Sequence, residues 1–262
     1  MLTKLFTIRG NLDKKTTLFI EIGGIAFLIL LWHIISTSGM ISKSLLPSPG
    51  MVIGSLGQLH FDDSLVRNLA YSIKLSLLGY VEAILICIPI GFVIGLFPVL
   101  KGLFNKPIDA LRFLPLTALT GVFIAWFGID DTMKIQFLAF GIIVYLLPTV
   151  VQRIHEVEEV YQQTIFTLGA TKWQTIRHVF IPAVMSKISD DIRVLVAISW
   201  TYIIVAEMLN KTGGVGAMLA TAARQSRIDK VFCILFIIVL IGFIQDVIFA
   251  KIDKMIFPHK HS

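Results

Sequence analysis

Long apolar runs separated by short polar breaks dominate this chain. Six of them approach the roughly 20 residues that a helix needs to cross a bilayer. They cover 17–35, 69–97, 111–129, 134–151, 192–209 and 231–250. Polar residues interrupt the third and the fifth. Between the first two runs lies Leu46-Pro47-Ser48-Pro49-Gly50, where two prolines and a glycine predict an extended linker. No low-complexity tract and no internal repeat stands out.

One polar stretch has a helical rhythm of its own. Over 156–182, Val157, Val160, Tyr161, Thr164, Ile165 and Leu168 recur at helical spacing and predict one apolar stripe. Glu156, Glu158 and Glu159 fall in the expected first turn, where carboxylates suit the positive end of the helix dipole. Gly169 stands where a left-handed residue ends a helix. Thr171-Lys172-Trp173-Gln174 has the pattern of a capping box that starts a second helix. Trp173, Ile176 and Phe180 fall on one face of it, Lys172, Arg177 and His178 stay polar, and Pro182 is expected to break or redirect the chain. Such a helix pair either lies on lipid headgroups or offers an apolar ridge to a partner.

Composition fixes the solvent. The chain of 262 residues is 56% hydrophobic and 15% charged, and its mean hydropathy is +0.83. A soluble domain carries about 25% charged residues, so this apolar surface belongs in lipid. The net charge of +6 is scattered through loops and ends, which fits the positive-inside rule better than a nucleic-acid stripe. With six spans both termini share a side. That side receives Lys4, Arg9, Lys14, Lys15, Lys101, Lys106, Arg112, Arg153, Lys172, Arg177, Lys187, Lys251, Lys254 and Lys260. The other receives Lys43, Arg67, Lys134, Lys211, Arg224, Arg227 and Lys230, so the termini are expected in the cytoplasm. The run 17–35 exceeds a signal core of about 7–15 residues and reads as a retained helix. Cys87 and Cys233 lie in apolar runs and read as small buried hydrophobes, with no disulfide or metal site implied.

Gln163-Thr164-Ile165-Phe166-Thr167-Leu168-Gly169-Ala170, followed by Val179-Phe180-Ile181-Pro182, resembles the EAA loop of binding-protein-dependent ABC importer permeases. The glycine and the proline are in register, whereas Gln163-Thr164-Ile165 replaces Glu-Ala-Ala. Further segments resemble the nitrate/sulfonate/taurine branch: Ala110-Leu111-Arg112-Phe113-Leu114-Pro115, Ala125-Trp126-Phe127-Gly128-Ile129, Val205-Ala206-Glu207-Met208-Leu209 and Gly213-Gly214-Val215-Gly216. The resemblance implies an all-α, polytopic membrane protein of the type I importer permease fold, with about six transmembrane helices and a cytoplasmic coupling loop. It implies a domain plan of a tail over 1–16, a first helix and linker over 17–68, a permease core over 69–252 with the loop at 155–187, and a tail over 253–262. It further implies a bacterial inner membrane, two ATPase subunits that carry the ATP and Mg, an extracytoplasmic solute-binding protein and a second permease copy. Gln163, Thr164, Leu168, Gly169, Ala170, Trp173, Ile176, Arg177, Phe180 and Pro182 are the coupling-loop residues this implies, with Arg177 facing acidic groups of the ATPase. The solute it implies is a small anion such as nitrate, a sulfonate or taurine.

Ionisable groups at membrane depth face a bundle interior or a path. Glu207 is the foremost candidate for the path, with Trp200 and Tyr202 on the same run; its alternative is a structural partner for Arg193, Lys211 or a facing subunit. Lys74, near Ser72 and Ser76, either attracts an anion or snorkels to the outer interface. Glu21 and Glu82 suit helix–helix pairing, and His33 suits an interface. Arg112 marks the start of the third span. Asp190, Asp191 and Arg193 suit caps at the start of the fifth, and Asp246 suits a pair with Lys251. No GxxxxGK[ST], HExxH or GxSxG occurs, so ATP is not expected on this chain. His259 and His261 are too sparse for a metal site. Two other functions, an intramembrane enzyme and an ion-coupled secondary carrier, lack respectively a clustered polar set and the paired broken helices they need.

Overall fold

The computed structural model describes residues 10, 12–209 and 212–260, with the side chain of His259 excepted. Lys4, Arg9, Lys211 and His261 lie outside the described residues. The described chain runs α1 (Lys14–Thr37), α2 (Pro49–Phe61), α3 (Leu65–Leu96), α4 (Pro98–Leu111), a 3-10 turn (Leu116–Leu119) and α5 (Thr120–Phe127). It continues through α6 (Asp131–His155), α7 (Glu159–Thr167), α8 (Lys172–Thr175), a π turn (Ile176–Phe180), α9 (Ile181–Leu209), α10 (Val215–Arg224) and α11 (Ile228–Ile256). Among the described residues, those up to 63 together with 222–233 form one compact unit, and those of 64–221 together with 234–260 form the other.

In the smaller unit, Asp13 caps α1 by accepting from the Thr16 N–H. The outer surface of α1 is largely apolar, with Phe19 77% exposed, as suits a lipid-facing helix, and Glu21 is its one exposed carboxylate. The indole of Trp32 donates to Pro47 O at 3.0 Å and stacks near Phe232. Arg227 is bonded to Asp229 and Gln58, and Lys230 to Asp63. The basic loop 224–230 thus carries two neutralised charges.

The larger unit is organised on α6. More than half of its most apolar window, 56%, is buried, against 11% for α11. Glycines explain how α3 approaches it. A Cβ on Gly79 would meet Ile135 O at 2.9 Å, one on Gly91 would meet Val150 Cγ1 at 2.4 Å, and one on Gly95 would meet Ile154 Cδ1 at 2.6 Å. These contacts advance together along both chains, so α3 and α6 run parallel. Against α6, Gly141 meets Tyr202 and Arg153 meets Asp191, so α9 runs antiparallel. Ser189 to Asp253 and Arg193 to Asp246 set α11 antiparallel to α9. The ends of α3, α6 and α11 and the start of α9 therefore share one face.

Two adjacent parallel helices demand a crossing between them, and it differs from the uninterrupted helix expected over 111–129. The pair Pro98–Leu111 and Leu116–Phe127 is bent by 90°. Pro115 starts the 3-10 turn and disfavours helix at the residue before it. Arg112 closes α4 rather than opening a span. The fifth span also differs: helix runs from Lys172 to Leu209 over 38 residues. Pro182 does not break it. The preceding π turn, where the Ile181 N–H reaches Ile176 O, widens the helix and admits the proline in the first turn of α9.

Replacing Gly91 with alanine forces α3 away from α6, and overpacking of this kind costs about 1–3 kcal/mol. The thermal midpoint of the detergent-purified protein should fall for Gly91→Ala and stay unchanged for Gly24→Ala, where nothing lies within 4 Å of the new Cβ.

Candidate coupling hairpin and buried polar centre

The hairpin begins where α6 ends. Arg153 makes a bidentate bond to Asp191 of α9, both arms at 2.7 Å, and a third bond to Glu156 at 2.7 Å. Lys187 approaches the same Glu156 carboxylate at 3.7 Å. This clamp ties the root of the hairpin to α9. The Arg153 guanidinium holds the Glu156 carboxyl below the usual carboxylate range. Its contribution is present at neutral pH and is lost as the pH falls through that lowered value. Glu156 therefore closes α6 instead of joining the first turn of α7, and only Glu159 lies in that turn.

The turn follows from local chemistry. Gly169 has φ +78°. Its N–H reaches Phe166 O at 2.9 Å, and the Ala170 N–H reaches Ile165 O at 3.2 Å, the two bonds of a Schellman motif. Thr171 then caps the next helix: Gln174 N–H donates to Thr171 Oγ1 at 3.3 Å, and Thr171 N–H donates to Gln174 Oε1 at 2.7 Å. The capping box is complete on both sides.

What the hairpin presents is bare. No residue of α7 is buried. Leu168 is 80% exposed and Trp173 64%. Val160, Tyr161, Thr164, Ile165 and Leu168 face His178, Val179, Pro182 and Ala183 across a groove of about 560 Å³. The expected common face of Trp173, Ile176 and Phe180 is split. Phe180 packs on the core of the larger unit and Ile176 is half-buried, so Trp173 alone points outward. Gln163 and Thr164 are exposed, with Thr164 Oγ1 bonded to Val160 O at 2.7 Å. Ala170 is half-buried, and Arg177 is exposed.

A second constellation lies in the larger unit. The side chain of Glu207 is fully buried. One carboxylate oxygen accepts from Ser72 Oγ at 2.6 Å and the other from the Gly216 N–H at 2.8 Å. Ser72 Oγ accepts from the Val215 N–H at 2.9 Å, and Asn68 Oδ1 from the Gly214 N–H at 2.8 Å. Side chains of α3 and α9 thus satisfy the amides that the start of α10 leaves unpaired. The glycines have a reason: Gly214 has φ +97°, and a Cβ there would lie 2.2 Å from Glu207 Cδ. Beside it, Lys134 is wholly buried and donates to Tyr71 OH and Thr212 Oγ1, each at 2.9 Å. The sequence placed Lys134 at the outer end of the fourth run, and its position at the head of an apolar run was the one available sign of burial.

The five residues expected to line the path do not share a surface. Glu207 and Ser72 form the pin just described; of the partners expected for Glu207, Arg193 bonds Asp246 instead and Lys211 lies outside the described residues. Trp200 is buried, its indole donating to Gln245 at 2.7 Å. Tyr202 packs edge-on to Phe137 and against Gly141. Lys74 is exposed on α3. Asp190, Asp191 and Arg193 are not caps, since α9 has already begun at Ile181. They bond Lys260, Arg153 and Asp246 respectively, so Asp246 is not held by Lys251. Glu82 does pair between helices, with Gln136 at 2.8 Å, whereas Glu21 is exposed. The exposed face of α9 instead carries Asp190, Val194, Ala197 and Thr201.

Several helices long and apolar enough to cross a membrane, and a clamped, bare hairpin in the larger unit, define a multi-pass membrane protein. The chain belongs to the family described as binding-protein-dependent transport system inner membrane component, whose model matches residues 87–257. It is 27% identical over 255 residues to the taurine transport system permease protein TauC of Escherichia coli (strain K12), covering 95% of this chain and 92% of the relative. It is 27% identical over 241 residues to the putative aliphatic sulfonates transport permease protein SsuC of Bacillus subtilis (strain 168), covering 90% and 86%. The fold matches the methionine ABC transporter MetNI in an inward-facing form with TM-score 0.63 at 14% identity, over 73% of this chain and 95% of that one. It also matches an amino acid ABC transporter solved with histidines, with TM-score 0.59 at 17% identity, over 78% and 97%. As a member of this family the chain is an ABC importer permease, a transport subunit rather than an enzyme, and works with an ATPase and a solute-binding protein.

Removing the Glu207 carboxylate leaves buried N–H and O–H donors without acceptors, at about 1–3 kcal/mol for each. Glu207→Ala should lower the stability of the purified protein by several kcal/mol in chemical unfolding, and Lys74→Ala, on the exposed side of α3, by under about 0.5 kcal/mol.

Proposed function

We propose that the hairpin 156–182 docks into the ATPase, and that two copies of this chain pass a small anion between them. The observation that carries this is the groove between α7 and the start of α9, apolar and bare on a hairpin whose root is clamped by Arg153. A surface ridge of that kind in water costs free energy unless a partner covers it. The clamp lets force on Leu168 and Trp173 reach α9 through Asp191. ATP and Mg belong to the ATPase in this reading, which uses two ATPase copies. Arg177, exposed beside Trp173, meets acidic groups there.

The lysine and arginine distribution supports a cytoplasmic hairpin and cytoplasmic termini, and the pairing of Arg227 and Lys230 weakens the one contrary loop. For the solute, the names of the taurine and sulfonate relatives support a small sulfonate-like anion. Nitrate remains in the same chemical class. The exposed face of α9 supports a path there: Asp190 and Thr201 suit lipid poorly, and with the small Ala197 they suit a water-filled seam between two copies. Closed two-fold pairs are the commonest assembly.

The test is Gly169→Asp. No atom lies within 4 Å of the added Cβ, so the hairpin is not blocked sterically, but the positive φ and a charge on the docked face disfavour the complex. The variant should insert normally, lose ATPase in co-purification and lose solute uptake by at least about tenfold, the equivalent of 1.4 kcal/mol. Uptake at the wild-type rate would remove the hairpin from the mechanism.

A further inference from the structure

Four basic side chains at the hairpin face have acidic partners: Arg153 has Asp191, Lys187 has Glu156, Arg193 has Asp246 and Lys260 has Asp190. Of the remaining basic residues, three gather around one groove. A groove of about 430 Å³ is lined by Gly95 at the end of α3, by Lys101, Asn105 and Lys106 of α4, and by His155 at the end of α6. The Lys101 ammonium and the His155 ring touch each other. Among the described residues, no carboxylate forms an ion pair with Lys101, Lys106 or His155. The nearest acid along α4, Asp109, accepts from the Asn105 amide at 3.0 Å.

Its level in the membrane is fixed by the helices. α3 ends at Leu96 and α6 at His155, so the groove lies at the hairpin-side ends of two helices long and apolar enough to cross a membrane, the level expected for lipid headgroups. Around the groove α4 exposes apolar side chains: Val99 is 74% exposed, Leu103 61% and Phe104 46%. Basic groups at the headgroup level beside apolar groups at the acyl level are complementary to one ligand chemistry, a phosphate carried on a hydrocarbon tail. A phosphate between Lys101, Lys106 and His155 would neutralise the two lysine charges and accept from the Asn105 amide side. We propose that this groove is a binding site for the phosphate headgroup of an anionic phospholipid, which anchors the bend between α3 and α4. The site is independent of the coupling reading, since neither the hairpin nor the ATPase supplies a ligand.

The experiment uses the permease–ATPase complex reconstituted into vesicles of mixed phosphatidylglycerol and phosphatidylcholine, then released for native mass spectrometry. Wild type should retain phosphatidylglycerol in preference to phosphatidylcholine. Lys101→Gln/Lys106→Gln should lose that preference by about tenfold or more, at roughly 1 kcal/mol per lysine. Lys251→Gln/Lys254→Gln, which removes the same charge from exposed positions of α11, should keep it. If the double variant does not assemble, Lys106→Gln alone, at an exposed lysine, should still weaken retention severalfold. Equal retention by wild type and the groove variants would overturn the proposal. Displacement of the lipid by millimolar inorganic phosphate would overturn it in favour of a free-anion site. Loss of the ATPase from the groove variant with lipid preference intact would overturn it in favour of a protein contact.

Discussion

The close parallel packing of α3 on α6 is the constraint on which the rest of the structure depends. In lipid no hydrophobic force drives two helices together, so association rests on close van der Waals contact and small residues. Gly79, Gly91 and Gly95 supply that contact at three successive levels. Because the helices are parallel, the chain must return across the bundle between them, and the bent segment from Pro98 to Phe127 makes that return. Because α6 ends beside the end of α3, the hairpin leaves the bundle at a fixed place. The same seam brings Ser72 and Asn68 to the start of α10, where Glu207 completes the pin.

Much of this was legible in the sequence, for particular physical reasons. The spans show because lipid demands long apolar runs. The hairpin turn shows because Gly169, Thr171 and Gln174 act through local backbone geometry, which needs no tertiary context. The bend at 112–115 did not show as a bend. Hydropathy counts residues without direction, and the bend falls at the start of a run, 111–129, that is apolar enough to read as one span. Pro182 misled for a related reason. A proline breaks an α-helix, but a π turn one step earlier accommodates it, and no short-range pattern announces that turn.

The buried polar centre was half legible. Glu207 was visible as an ionisable residue in an apolar run, for which a path contact and a structural pairing were both open. Its partners were not visible. Ser72 lies 135 residues away and Gly216 belongs to a glycine-rich segment whose purpose is to leave room for the carboxylate. Trp200 and Tyr202 were grouped with it by proximity along the chain. On a helix, neighbours in sequence point in different directions, and these two point into the bundle. The exposed face of α9 is offset from them, through Val194, Ala197 and Thr201. In the proposed function, the interior transmits and the bare hairpin receives.

That division is tested most directly at Leu168. A Leu168→Cys variant places an exposed thiol at the tip of the hairpin, while the two natural cysteines are buried. A membrane-impermeant thiol reagent should label it in inside-out vesicles and not in right-side-out ones, and bound ATPase should protect it. Labelling from the outer side, or labelling that bound ATPase leaves unchanged, would contradict the account.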